Sequence, residues 1–500
     1  MNKQLRRLGG GLLACYLALV AMVSYVQVIH ADALNTHPLN SRAVVRDFDQ
    51  ARGQIVSGDG AVLARSDPAT DGGGFQFQRS YPEGDLFGHI TGFLNFNFGA
   101  TGVEATYNDQ LSGHTVDQSL ESLKTLFQGG DTQGDVTLTV RKDLQQTARD
   151  LLGEQRGAIV ALDPRDGSVL ALWGFPSYDP NPLANHDPAA AGAARDALQP
   201  NTGSTPLLGK AYQSRFFPGS TFKVVTGSVG VQTGKVTPDS PTFPQLSQYE
   251  PSDGAPIQNF GGEVCGGSLF TILAVSCNSS FAAMGVDVIG RDDMSAGAAG
   301  FGFNDKPPLD LPGTATSVFP TDRIGRSKAF LGQASIGQFD TAATPLQMAL
   351  VAGSIGNGGV MMVPHVLADV RDTTGRVTST YDPRTWKNPV SSATADVMRE
   401  AMVGVVQRGT GTAAQINGVE IGGKTGTAQL GTEPATSDAW FICYAAQPGQ
   451  PASVAVAVIV QGERGASEAT GGLVAAPMAR QMVQQILDLQ ASGQIPPPGR

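Results

Sequence analysis

The sequence has little charge and few histidines, and both shortages exclude classes of function. Only 16% of the 500 residues are charged, the net charge is −10, and no long run of one sign occurs. Nucleic-acid-binding domains present clustered positive charge, so a nucleic-acid partner is excluded. The six histidines, among them His89 and His365, stand in no spacing typical of metal ligands. The histidines therefore give no indication of a metal site.

Cysteine is also scarce, with four residues in the whole chain. Cys15 falls in an apolar N-terminal run, which leaves Cys265, Cys277 and Cys443 elsewhere. In an oxidising compartment Cys265 and Cys277 could form a disulfide. Buried free thiols are the alternative, and the sequence leaves both open.

One long apolar run stands at the N-terminus. Residues 8–29 contain no charged side chain, and as a helix these 22 positions would span roughly 33 Å. Three basic residues precede the run and the next is Arg42, so the positive-inside rule predicts a cytoplasmic N-terminus, a plasma-membrane anchor and an extracytoplasmic remainder. Ala31-Asp32-Ala33 resembles a signal-peptide cleavage site, which makes a cleaved leader the alternative, but the length of the run favours the anchor.

A chain of 500 residues is too long for a single compact core and predicts several domains. We predict a cytoplasmic tip and anchor over 1–32, a small N-terminal module over 33–140, a large domain over 141–490 and a disordered tail over 491–500. In the module, two short apolar segments flank Ser57-Gly58-Asp59-Gly60 and predict a hairpin.

The large domain shows helical spacing, then two strand-like runs, a long insertion, three more strand-like runs and a closing amphipathic helix. These segments are residues 142–152, 158–162, 168–172, 419–428, 440–445, 454–460 and 474–486. The insertion, about residues 180–415, carries mostly helical patterns. The predicted fold class is therefore α+β, a five-stranded antiparallel sheet with helices and a mostly helical subdomain.

Three short motifs carry reactive side chains. In Pro218-Gly219-Ser220-Thr221-Phe222-Lys223, the serine and the lysine are three residues apart and share one face of a helix. A serine hydroxyl needs a base to become a nucleophile, and a lysine can be that base only where burial or a neighbouring cation lowers its pKa. At a helix start the serine would also place a positive dipole end near a developing oxyanion.

The other two motifs are Ser276-Cys277-Asn278 and Lys424-Thr425-Gly426-Thr427. A hydroxyl and an amide two positions apart can relay a proton and hold a substrate amide. On a strand, the third motif offers a cation and two hydroxyls to a carboxylate, with a glycine that lets another backbone approach. Each motif alone is weak, since a capping serine or a surface lysine explains it equally well; their order and spacing together make the set specific.

With these motifs the chain resembles the class B penicillin-binding proteins, and most of all the actinobacterial penicillin-binding protein A group. Further segments carry the resemblance: Arg52-Gly53-Gln54-Ile55, Tyr81-Pro82-Glu83-Gly84, Gly102-Val103-Glu104, Gly167-Ser168-Val169-Leu170-Ala171, Pro176-Ser177-Tyr178-Asp179-Pro180-Asn181, Gly337-Gln338, Thr344-Pro345-Leu346-Gln347, Arg408-Gly409-Thr410-Gly411-Thr412 and Ala439-Trp440-Phe441. The middle motif departs from the usual S-D-N form, because Cys277 replaces the aspartate.

The resemblance implies that residues 141–490 are a catalytic domain with the penicillin-binding transpeptidase fold and that residues 33–140 are a non-catalytic, dimerisation- or pedestal-like module. It also implies a peptidoglycan D,D-transpeptidase activity that needs no metal or cofactor and that β-lactams inhibit covalently. Ser220 would attack the D-Ala-D-Ala carbonyl of a stem peptide, Lys223 would take its proton, and an amine of a neighbouring stem would complete the cross-link. The implied catalytic residues are Ser220, Lys223, Ser276 and Lys424, and the implied substrate-binding residues are Asn278, Thr425, Gly426 and Thr427. Backbone N–H groups of Ser220 and Thr427 would form the oxyanion hole.

Other functions share parts of this pattern. A class A β-lactamase needs a water-activating glutamate between the second and third motifs, and residues 281–419 hold only Glu400, within a helical pattern. A β-lactam sensor needs a larger cytoplasmic portion, and a bifunctional polymerase needs more chain before the catalytic sheet. D,D-carboxypeptidase activity and a scaffold role with division or elongation proteins stay open.

Overall fold

The computed structural model describes residues 2–26, 48–70, 74–113, 133–199, 205–429, 436–462 and 470–495. Its first helix, α1 (Asn2–Ser24), contains a stretch from Arg6 to Ser24 with a mean hydropathy of 1.6. By length and composition this stretch could cross a membrane, and none of it is buried inside the molecule. The predicted span over 8–29 begins within α1, and its last three positions lie outside the described residues.

The elements that follow are numbered in chain order. The strands are β1 (Ile55–Val56), β2 (Val62–Pro68), β3 (Phe77–Ser80), β4 (Leu94–Asn95), β5 (Gly99–Ala100), β6 (Asp135–Leu138), β7 (Gly157–Leu162), β8 (Val169–Phe175), β9 (Phe243–Leu246), β10 (Gln248–Tyr249), β11 (Ile257–Gln258), β12 (Cys265–Gly267), β13 (Met361–Met362), β14 (Leu367–Arg371), β15 (Val377–Thr380), β16 (Thr385–Lys387), β17 (Glu420–Gln429), β18 (Ser437–Ala446) and β19 (Val454–Val460). The helices after α1 are α2 (Gly88–Thr91), α3 (Gly102–Thr106), α4 (Asn108–Ser112), α5 (Lys142–Leu152), α6 (Pro188–Ala197), α7 (Lys223–Gln232), α8 (Leu269–Ala274), α9 (Asn278–Ala283), α10 (Arg291–Gly300), α11 (Lys328–Ser335), α12 (Pro345–Gly356), α13 (Ser392–Arg408) and α14 (Ala475–Ala491). Short 3₁₀ or π turns lie at Gly84–Leu86, Gly219–Phe222, Phe260–Gly262, Met284–Ile289, Ile324–Arg326 and Thr412–Ala414.

The catalytic part is built on a five-stranded antiparallel sheet in the order β17-β18-β19-β7-β8. Nearly every residue of β7, β18 and β19 is buried. Because both faces of these strands are covered, they read as continuous apolar runs in the sequence. Helices α5, α12 and α14 pack on the sheet. The predicted order of helix, two strands, insertion, three strands and helix is confirmed.

A second sheet, in the order β15-β14-β6-β1-β2-β3, supports the N-terminal part of the described chain. The predicted hairpin is confirmed, since β1 pairs with β2 in antiparallel register. The β14 strand pairs antiparallel with β6, with Val370 opposite Val136. This sheet therefore joins strands from both sides of the predicted boundary at residue 140, and the boundary itself stays a prediction.

A buried ion-pair network holds this part together. The Glu104 carboxylate accepts from Arg52 Nε at 2.7 Å and from Arg79 Nε at 2.6 Å, and all three side chains are buried. Burial alone would raise the pKa of Glu104, but the two guanidinium groups outweigh it and hold the pKa below its ordinary value. The Arg52 and Glu104 segments, both quoted for the resemblance, thus form one structural unit.

The predicted helical character of the insertion is confirmed by helices α6 to α13, between which short strands also occur. Two small sheets, β9 with β12 and β10 with β11, stand beside helices α8 and α9. These strands have two to four residues, with mostly exposed side chains in β9, so neither length nor alternation identifies them in the sequence. At the C-terminus, α14 ends at Ala491 and Ile495 is buried, while residues from 496 onward lie outside the described chain.

Candidate active site

Ser220 lies in the 3₁₀ turn Gly219–Phe222, which leads directly into α7. Gly219 has φ +51°, and a Cβ there would lie 3.2 Å from the Cα of Ala428 at the end of β17. On the other side, Gly337 accepts a hydrogen bond from Gly219 N at 2.9 Å, and a Cβ on Gly337 would overlap the Gly219 carbonyl. The Ser220 turn is therefore held between β17 and the Gly337 segment, and glycine is required at both contacts.

The third motif lies on β17 and approaches the first through Gly426. A Cβ at this position would lie 2.9 Å from the carbonyl oxygen of Pro218 and 2.9 Å from Thr221 Cγ2. Only glycine allows the strand backbone to come this near to the Ser220 turn. The two motifs, far apart in the chain, therefore meet.

Both motif lysines are fully buried and point to the second motif. Lys223 Nζ donates to the Ser276 carbonyl at 2.6 Å and to Asn278 Oδ1 at 2.6 Å, and lies 3.3 Å from Ser276 Oγ. Lys424 Nζ donates to Ser276 Oγ at 2.8 Å and to the Thr425 carbonyl at 2.9 Å. Ser276 thus links the two lysines. In the described chain, the hydrogen-bond partners of Lys223 Nζ are Ser276 and Asn278, and no hydrogen bond joins it to Ser220.

The electrostatic environment lowers the pKa of both amines. Burial, and then the neighbouring Lys424, hold the pKa of Lys223 well below its ordinary value. Burial alone lowers the pKa of Lys424 to about 7. Charged amines without a carboxylate partner are costly in such a site. A neutral lysine next to a serine hydroxyl is what general-base activation requires.

Ser276 sits between α8 and α9 in the left-handed region, with φ +61°. A non-glycine residue there costs on the order of 1–3 kcal/mol and persists only where its surroundings fix it. The flanking backbone is fixed by Cys277 N, which donates to the Ile272 carbonyl at 2.9 Å. Asn278 Nδ2 donates to the Gln258 carbonyl at 2.9 Å and so joins the motif to β11.

Cys265 and Cys277 form a disulfide, which decides the question that the sequence leaves open. Cys277 is the middle residue of the second motif, and Cys265 is the first residue of β12. The bond therefore ties the strained Ser276 turn to the small β9–β12 sheet. Cys443 is a buried free thiol, and Cys15 is free and exposed in α1.

Thr410 is a site residue to which sequence reasoning assigns no role. Its hydroxyl lies 2.6 Å from the Thr425 hydroxyl, and its N–H donates to the Ala274 carbonyl at the end of α8. It thus joins β17 to the helix that precedes Ser276. The Arg408–Thr412 segment is part of the resemblance, but nothing in its pattern indicates this pairing.

These residues converge on a cleft of about 1010 Å³. Ser220, Ser276, Asn278, Thr425 and Thr427 line it, together with Thr410 and Thr412. Lys223 and Lys424 are buried behind Ser276, and Gly426 lies in the strand between the two lining threonines. All eight predicted site residues therefore meet in one place. Among the described residues, no group of three or more His, Cys, Asp or Glu is placed to hold a metal ion.

Comparison with known families gives two matches. A model described as the penicillin binding protein transpeptidase domain matches residues 157–484. A second, described as the penicillin binding protein A dimerisation domain, matches residues 52–136.

Similar proteins and structures come from mycobacteria. The peptidoglycan D,D-transpeptidase PbpA of Mycolicibacterium smegmatis is 36% identical over 97% of this chain and 99% of that protein. The protein of the same name from Mycobacterium tuberculosis is 35% identical, with the same two coverages. The penicillin G acyl-enzyme of penicillin-binding protein A from M. tuberculosis superimposes with a TM-score of 0.78 at 34% identity, over 88% of this chain and all of that one. Its imipenem acyl-enzyme gives a TM-score of 0.79 at the same identity and coverage.

Proposed function

The chain belongs to the penicillin-binding protein transpeptidase family, and we propose that it cross-links peptidoglycan stem peptides through an acyl-enzyme on Ser220. The observation that carries this proposal is the convergence of one serine, two buried lysines and a row of threonine hydroxyls on a single cleft. The relatives' names supply the reaction class, peptidoglycan D,D-transpeptidation, and the acyl-enzymes of the M. tuberculosis protein supply the covalent chemistry with β-lactams.

Acylation begins with proton transfer from Ser220 to neutral Lys223. A neutral lysine amine has two N–H donors and one lone pair. The Ser276 carbonyl and Asn278 Oδ1 each lie 2.6 Å from Nζ and take the two donors. The lone pair is then left for a hydroxyl proton. These contacts orient the amine as a base rather than as a charged donor.

In this step the Ser220 oxygen bonds to the carbonyl carbon of the penultimate D-Ala, and the bond to the terminal D-Ala nitrogen breaks. The leaving nitrogen takes a proton through the hydroxyl of Ser276, whose Oγ lies 3.3 Å from Lys223 Nζ and 2.8 Å from Lys424 Nζ. The backbone N–H groups of Ser220 and Thr427 stabilise the oxyanion, a contribution that is usually large in acyl transfer. An acceptor amine then attacks the ester, forms the new amide bond and returns the proton to Ser220.

Substrate binding uses the same walls of the cleft. Thr425 and Thr427 offer hydroxyl groups from β17 to the terminal carboxylate of the donor, with Lys424 behind them. Thr410, hydrogen-bonded to Thr425, sets the orientation of that hydroxyl. Asn278 faces the peptide amide from the opposite element, α9.

For the location of the enzyme we propose a single-pass anchor in the plasma membrane. The Arg6–Ser24 part of α1 supports it by length and composition. The basic residues before this stretch and their scarcity after it favour a cytoplasmic N-terminus and an extracytoplasmic catalytic domain. The disulfide suits an oxidising compartment.

Ser220→Ala tests the nucleophile. The variant should fold and give no covalent adduct with a fluorescent penicillin. Ser228→Ala is the matched control, because Ser228 lies on α7 and its hydroxyl has no hydrogen-bond partner in the described chain. Labelling that survives in Ser220→Ala would place the nucleophile elsewhere.

Lys223→Ala tests the base. General-base help is worth about 10²–10⁴ in rate, so acylation should slow by at least that factor. Lys235→Ala removes a partly exposed lysine that pairs with Asp293 and should leave the rate unchanged. Time-resolved mass spectrometry of the acyl-enzyme gives the modified residue and the acylation and deacylation rates together. A near-normal acylation rate in Lys223→Ala would show that another group takes the proton.

A further inference from the structure

Among the described residues that line the cleft, one carries a negative charge. Within the described chain, Glu263 is the only lining residue with an ionisable side chain, since Cys265 is disulfide-bonded and the rest carry hydroxyl, amide or apolar groups. The Glu263 side chain is exposed, and no other described residue pairs with its carboxylate. A charge in this position, without a partner among the described residues, faces whatever enters the cleft.

Hydrogen bonds hold the backbone of Glu263, while its exposed carboxylate pairs with no other residue that the structure describes. Asn259, which is only 6% exposed, donates from Nδ2 to the carbonyls of Glu263 and Leu246, both at 2.8 Å. The same side chain accepts from Ser279 N at 2.8 Å. Because Ser279 follows Asn278, the loop that carries Glu263 is held against the second motif itself. The disulfide two residues later adds a second tie.

The roles proposed above for the described cleft residues leave one charged substrate group without a partner among them. The donor brings a carboxylate, which Thr425 and Thr427 face, and a peptide amide, which Asn278 faces. The acceptor brings a primary amine, which is a cation in solution, and a carboxylate is its complement. A fixed charge at the opening of a cleft also raises the local concentration of an oppositely charged ligand.

We propose that Glu263 binds the ammonium group of the acceptor stem peptide at the opening of the cleft; this inference rests on the proposed transpeptidase function. Glu263 acts on binding alone. The ammonium releases its proton to solvent before attack, and the free amine then forms the C–N bond while the ester C–O bond to Ser220 breaks. Acylation by the donor does not involve Glu263.

The experiment uses the full chain in detergent, a synthetic N-acylated D-alanyl thioester as donor and D-alanine amide as acceptor. Glu263→Gln should raise the acceptor concentration that gives half-maximal aminolysis by about three-fold, the scale of an exposed ion pair. Glu263→Lys should raise it further, and Glu263→Asp should restore most of the effect. The maximal aminolysis rate and the rate of penicillin acylation should not change. Added salt should reduce the difference between the wild-type enzyme and Glu263→Gln.

The matched control is Glu250→Gln, which removes a likewise exposed charge directly after β10, outside the cleft lining, and should have no effect. Unchanged acceptor half-saturation in both Glu263→Gln and Glu263→Lys would overturn the proposal. The proposal would also be overturned if the Glu263 variants had an effect only with a donor that carries a free side-chain amine, because Glu263 would then bind the donor rather than the acceptor. Slower hydrolysis of the acyl-enzyme with unchanged acceptor binding would instead make Glu263 a residue that activates water. Absence of any Ser220 adduct in the wild-type protein would refute the proposed function and this inference with it, whereas a normal adduct with unchanged acceptor half-saturation would overturn the inference alone.

Discussion

Breaking the Cys265–Cys277 bond should lower the stability of the catalytic part. The two residues are 12 positions apart in sequence, and the loop-closure entropy for that length corresponds to about 3 kcal/mol. The entropy of unfolding scales with chain length. For a domain as long as the matched transpeptidase segment, residues 157–484, the loss corresponds to a fall in Tm of about 4 °C. The double variant Cys265→Ser/Cys277→Ser, followed by thermal unfolding, measures it.

The same variant should also acylate more slowly while it is still folded. Cys277 directly follows Ser276, whose left-handed backbone persists only under constraint. If releasing the bond lets that turn relax by about 1.4 kcal/mol, within the usual range of such strain, the acylation rate falls about ten-fold. Stopped-flow acylation by a fluorescent penicillin at 25 °C, well below the melting transition, separates this loss from unfolding.

Reduced wild-type protein is the second arm of this test. Denatured without reductant, the chain should alkylate at Cys15 and Cys443 only, and with reductant at all four cysteines. Reductant should slow acylation of the wild-type protein and leave the double variant unaffected. An acylation rate that is equal in the oxidised, reduced and double-variant forms would refute the view that the disulfide positions the second motif.

Three further predictions concern other parts of the molecule. Burial and Lys424 lower the pKa of Lys223, and neutral Lys223 is the active form, so the acylation rate should rise with pH and level off well below the ordinary lysine pKa. In Lys424→Met the pKa of Lys223 should be higher, and the acidic limb of the pH–rate profile should move to higher pH. An unmoved limb would contradict the electrostatic coupling of the two lysines. Thr410→Val removes a hydroxyl that positions Thr425 and should raise the KM for a D-Ala-D-Ala peptide several-fold, whereas Thr410→Ser should retain binding. Glu104→Gln leaves two buried arginines without a counter-charge and should lower the free energy of unfolding by about 3–5 kcal/mol. Penicillin acylation at low temperature should be unchanged. A loss near zero, measured by denaturant unfolding, would show that the ion-pair network does not stabilise the protein.

The sequence predicts those parts of the molecule whose cause is local. The strands β7, β8, β18 and β19 are long and covered on both faces, so their apolar runs are unambiguous. The site follows from three motifs in which residue type and order restrict the chemistry. Gly426 is predicted correctly as a point of close approach, because only a missing side chain allows it.

The rest depends on contacts between distant segments. The strands from β9 to β12 are too short to show a period, and the pairing of β14 with β6 joins residues that are far apart in the chain. The hydrogen bonds of Lys223 to Ser276 and Asn278, and of Thr410 to Thr425, exist only once α8, α9 and β17 are packed together. The disulfide is of the same kind, since cysteine positions alone leave its pairing open.

The pairing of β14 with β6 bears on how this enzyme can be shortened. A fragment that starts after residue 140 would lose β6 and expose the edge of β14, with a row of unpaired N–H and C=O groups beside the exposed β15 strand. Such an edge invites association with other chains. Trimming the protein at that point should therefore yield aggregates rather than a free-standing catalyst, whatever remains of the chemistry in the cleft.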